Sequence, residues 1–72
     1  MKIDIQNEYD YKEILYFIFT CYDIVILQKI KEDVYKTLCN STIFNERIRL
    51  NRLYAIITNY IDILNKDLSN LN

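Results

Sequence analysis

Seventy-two residues, 51% of them hydrophobic and none of them glycine, proline, histidine or tryptophan, bound the chain to one small domain without the usual helix breakers. A formal net charge of -1 excludes the strong basic excess of a general nucleic-acid binder, and two distant cysteines, Cys21 and Cys39, with no histidine fit no zinc pattern. A core of this size is marginal without a disulfide, a metal or a second chain, so the composition predicts self-association as a homodimer.

The first stretch, Met1 to Gln6, alternates apolar and polar residues but has no second strand-like run to pair with, and residues 1–8 are expected to form an extended arm. A secretory leader would carry positive charge ahead of its apolar run. Here the run follows Asp4, Glu8 and Asp10, so no targeting signal is expected and the cytoplasm is the predicted location. The run from Ile14 to Leu27 is about fourteen residues long against roughly twenty for a membrane span, and it contains Thr20 and Asp23. It reads as a buried helix.

Helical structure is expected over about 9–39, beginning at Asp10 as a cap with Glu13 three residues on. Every fourth residue from Ile14 is apolar: Ile14, Ile18, Tyr22, Ile26, Ile30, Val34 and Leu38. Such a row drifts about 40° per step around a helix with 3.6 residues per turn. The helix must therefore change neighbours, bend or break, and the expected place is Leu27 to Lys31, where the all-round apolar surface gives way to charge. A polar cluster at Asn40, Ser41 and Thr42 predicts a turn over about 40–45, with Asn40 closing the helix in the left-handed conformation. The last helix is expected over about 45–69. Leu50, Ile57, Leu64 and Leu71 recur every seven residues along it, a seam for helix pairing.

The predicted fold is all-α: a hairpin of two long antiparallel helices, the first open to a break, dimerising into a bundle whose core includes Ile14, Ile18, Tyr22, Ile26, Leu50, Ile57 and Leu64. Both cysteines read as small core hydrophobes. Asp23, the one charge inside the apolar run, is expected to face water or meet an arginine.

No sequence feature specifies a catalytic, cofactor-binding or metal-ligating residue, so the chain is read as non-enzymatic and without a cofactor. Two features suit recognition instead. Tyr9 and Tyr16 lie one heptad apart on the thin polar stripe of the first helix, and Arg47, Arg49 and Arg52 gather every arginine at the start of the last. Cations there oppose the helix dipole, so pairing with Asp4, Glu8, Asp10 or Glu13 is the structural expectation. The functional expectation is a small regulator or inhibitor that binds a larger host protein. The alternatives are a dimeric nucleic-acid-binding regulator using Arg47, Arg49 and Arg52, and a structural subunit of a larger assembly. Abundant Ile, Asn, Lys and Tyr suit an AT-rich genome such as that of a phage or other mobile element, and codon bias competes with helix physics as the reason no breaker is present.

Overall fold

The computed structural model describes residues 8–70, with side chains as far as Asp67. Among these the regular structure is all helical, in three helices joined by two three-residue turns: α1 over Glu8–Thr20, α2 over Ile24–Asn40 and α3 over Phe44–Asn70. The α3 helix has 27 residues, about 40 Å at 1.5 Å each, close to the 44 Å long axis of the molecule. It is the spine on which the other two lie.

Cross-helix contacts give the directions. Glu8 reaches Arg49 and Phe19 reaches Tyr60, the same separation of 41 residues at both ends of α1, so α1 runs parallel to α3. Arg47 reaches Leu38, while Tyr54 meets Tyr35, so α2 runs antiparallel to α3. The core contains Ile18 from α1, Leu27, Ile30 and Val34 from α2, and Leu50, Leu53, Ile57 and Ile61 from α3. Ile14 and Leu64 are partly buried against it. The α3 contribution follows the expected seam through Leu50 and Ile57, while the side chain of Leu68 and all of Leu71 lie outside the described region.

The first helix does break, though elsewhere than Leu27 to Lys31. That stretch is continuous helix with Leu27 and Ile30 buried, and the chain bends at Cys21, Tyr22 and Asp23. Polar side chains make the bend in the absence of glycine or proline. The Thr20 hydroxyl donates to the carbonyls of Tyr16 (2.9 Å) and Phe17 (3.1 Å), and the Cys21 N–H turns back to Ile18 (3.1 Å). The Asp23 carboxylate then accepts from the Val25 and Ile26 amides at 2.9 and 3.4 Å. Asp23 is exposed to water, the first of its two expected placements, and serves as the N-cap of α2.

Beside the bend, two positions of the core expected from the four-residue row are corrected, while Ile30 and Val34 farther along the row are buried. Tyr22 is 78% exposed and Ile26 is 43% exposed, while Leu27, one position on, is fully buried. Cys39 is exposed and Cys21 half-buried, both as free thiols, so Cys39 is no core residue. At the other turn, Ser41 closes α2 with φ -80° and ψ 134°, its N–H on Leu38. Among the described residues no non-glycine backbone takes a positive φ, so Asn40 does not close the helix in the left-handed conformation. The expected arm over residues 1–8 falls outside the described region except for Glu8, which already belongs to α1. Asp10 accordingly lies within the first turn and not at its cap.

Candidate interaction surfaces

The eight core side chains among the described residues leave much apolar surface outside. Tyr9, Tyr16, Phe17, Phe19, Tyr22, Val25, Ile26, Tyr35, Ile43, Phe44, Ile48 and Ile63 are all at least 38% exposed. They concentrate in three places.

The first is the outer face of α1, where Tyr9 and Tyr16 flank Lys12 and Glu13 around a shallow groove. Tyr9 and Tyr16 are 69% and 74% exposed. A hydrogen bond to the Glu13 carboxylate, reinforced by its charge, raises the pKa of the Tyr9 phenol above its ordinary value. Both rings remain open to a partner.

The second lies where α3 begins. Phe44 is 75% exposed, with Ile43 beside it and Ile48 one turn on. On a helix whose buried positions are Leu50, Leu53, Ile57 and Ile61, residues 44 and 48 fall on the opposite side, at 100° per residue. They serve no purpose in this chain's own core. Phe44, Ile48, Leu38, Arg47 and Asn51 line a shallow groove there.

The third is the bend itself. Phe19 packs edge-on against Tyr60 with ring centroids 5.5 Å apart, and beyond them Tyr22, Val25 and Ile26 stand in solvent. The Tyr60 hydroxyl donates to the carbonyls of Phe19 and Cys21, at 3.3 and 3.2 Å, sharing one proton between two acceptors at the end of α1. Burial, then the nearby Tyr22 and Cys21, raise the Tyr60 pKa.

The arginines have separate roles. Arg47 donates from Nη1 to the carbonyls of Leu38 (3.2 Å) and Ser41 (3.0 Å), so a cation that opposes the dipole of its own helix serves the negative end of α2. Arg49 is half-buried and bonds Glu8 at 3.2 Å, the pairing that the acidic N-terminal region suggested. Arg52 is exposed. On the α2–α3 side, the Lys31 ammonium sits 5.6 Å from the centre of the Tyr54 ring, and Tyr35 packs against that ring at 5.7 Å with the planes tilted by 46°. A hydrogen bond with Cys39 raises the Tyr35 pKa.

The chain matches no protein-family model, no curated protein and no solved structure. Among the described residues no cluster of His, Cys, Asp or Glu could hold a metal ion, and no helix is long and apolar enough to cross a membrane.

Sequence reasoning missed the capping role of Asp23 and the outward placement of Phe44 and Ile48. Asp23 carried a readable signal, a cap-forming residue directly before the apolar run of α2, which the unbroken row obscured. Phe44 and Ile48 carried none, because an exposed apolar pair on a helix is distinguished from a buried pair only once the core face is known.

Proposed function

We propose that the chain is a non-catalytic helical interaction module that self-associates and occupies a surface on a larger protein as a regulator or inhibitor. The observation that carries this reading is the outward pair Phe44 and Ile48, placed opposite the core face of α3 and continuous with the exposed Ile43. Large apolar side chains held on a rigid helix at i and i+4 are the anchors of helix-in-groove recognition. Tyr9 and Tyr16 form a second such face on α1, where tyrosine rings give contact area at little conformational cost. Arg47 and Arg49 are engaged within the chain, which favours protein recognition over a phosphate-binding role for the arginine group.

The test is affinity capture from lysate, comparing the parent chain with the double variant Phe44→Ser/Ile48→Ser. A stoichiometric protein retained by the parent and lost by the variant supports the reading. Retained nucleic acid, released by salt and lost on replacing Arg52, overturns it in favour of a nucleic-acid regulator.

A further inference from the structure

The bend at Cys21–Asp23 is held by groups that compete directly with an uninterrupted helix. In a continuous helix the amides of Tyr22, Asp23 and Ile24 would bond the carbonyls of Ile18, Phe19 and Thr20. In the bent chain the Ile18 carbonyl takes the Cys21 amide and the Phe19 carbonyl takes the Tyr60 phenol instead. Asp23, with φ -92° and ψ 107°, turns its carboxylate onto the start of α2. No glycine or proline forces the break. Straightening it costs an aspartate cap and a phenol hydrogen bond and restores helical ones.

The apolar pattern runs straight through the bend. Ile14, Ile18, Ile30 and Val34 of the four-residue row are buried or half-buried on either side of it, yet the bent chain leaves Tyr22 and Ile26 of that row, with Val25, exposed. The attachment of α1 is also the lightest in the molecule. It places one side chain, Ile18, fully in the core, beside three from α2 and four from α3.

We infer that the chain dimerises by exchanging α1: the bend straightens, α1 and α2 join into one helix from Glu8 to Asn40, and each α1 docks on the α3 of the second copy. This deepens the self-association proposed above and rests on it. The occupant of the exchanged site is fixed by contacts already present. Glu8 meets Arg49, and Ile18 enters the same core, now across two chains. The exposed Tyr22, Val25 and Ile26 then meet their own counterparts about a two-fold axis, which gives the new interface its apolar centre.

Two substitutions push the equilibrium in opposite directions. Ile24→Pro suits the bent chain, because residue 24 is the first of α2, where proline is accepted, and Asp23 already has the extended backbone that a following proline requires. The same proline clashes within a continuous helix. Tyr60→Phe keeps the ring contact with Phe19 and removes only the hydrogen bonds that hold the bend.

The parent chain is expected to show a concentration-dependent dimer by light scattering, strengthened at least tenfold by Tyr60→Phe and abolished by Ile24→Pro. Spin labels at Lys12→Cys and Lys36→Cys, in a Cys21→Ser/Cys39→Ser background diluted with unlabelled chain, read the geometry within one chain without relying on either variant. In the bent chain both positions lie level with residues 53–54 of α3, across a bundle whose short extents are 22 and 19 Å. In the straightened chain they stand about 36 Å apart. A dimer with the short separation, or one indifferent to Ile24→Pro, overturns the exchange and leaves self-association standing. A monomer at all concentrations overturns both.

Discussion

At the residue scale, three polar side chains do what glycine and proline do in other helical proteins. Thr20 takes the last carbonyls of α1, Asp23 takes the first amides of α2, and Arg47 takes the last carbonyls of α2. Asp23→Ala should lower the unfolding free energy by about 1 kcal/mol in chemical denaturation, and Asp23→Asn by less, since asparagine also caps. Tyr60 adds a pH dependence. Its pKa is raised in the folded chain, so its contribution is complete below the unfolded tyrosine value of about 10 and is lost as pH climbs through the folded one. Tyr60→Phe should therefore be less stable than the parent by about 1 kcal/mol at neutral pH. The gap should close in strongly alkaline urea titrations; a constant gap would mean that the phenol proton is not what holds the bend. The Arg49–Glu8 pair is a weaker matter. The Glu8 side chain is 68% exposed, so Arg49→Met should change stability by well under 1 kcal/mol.

At the element scale, α2 and α3 hold seven of the eight buried core residues and α1 holds one. Native-state hydrogen exchange should therefore release the amides of α1 before those of Leu27–Val34 and Leu50–Ile61, and equal protection across the three helices would contradict this division. Leu53→Ala, which empties a fully buried position on the spine, should cost about 2–5 kcal/mol. The same division explains what could be read from the sequence. The seam through Leu50 and Ile57 was legible because α3 is one unbroken helix, where a seven-residue repeat keeps its phase. The row from Ile14 was misleading at Tyr22 and Ile26, because Tyr22 falls in the bend and position 27 rather than 26 faces the core, whereas Ile30 and Val34 of the same row are buried. Bends formed by side-chain capping leave a faint trace in a sequence. Asp23 is a cap-forming residue, but it stands within an apolar row that continues past it, and its partners are backbone amides that every residue but proline possesses.

At the scale of the whole molecule, the apolar residues outnumber the places inside for them. The all-helical architecture followed from composition and periodicity, whereas the outward placement of Phe44 and Ile48 required the direction of α3's core face. Phe44→Ser/Ile48→Ser should leave thermal stability nearly unchanged, because neither side chain is buried. The same variant should bind less of an environment-sensitive hydrophobic dye than the parent, and a large drop in melting temperature would instead assign the pair to the fold.

The constant separation of 41 residues between α1 and its contacts on α3 acts as a gauge of permitted chain length. One residue inserted inside α1, between Lys12 and Glu13, would rotate everything beyond it by about 100° and advance it about 1.5 Å. Glu8 could then meet Arg49, or the carbonyl of Phe19 could meet Tyr60, but not both. An extra residue among Ser41, Thr42 and Ile43 falls between helices, where a turn can take up the slack. An insertion inside α1 therefore displaces either Glu8 or the segment that carries the buried Ile18 from its place on α3, a disturbance that an insertion in a turn avoids.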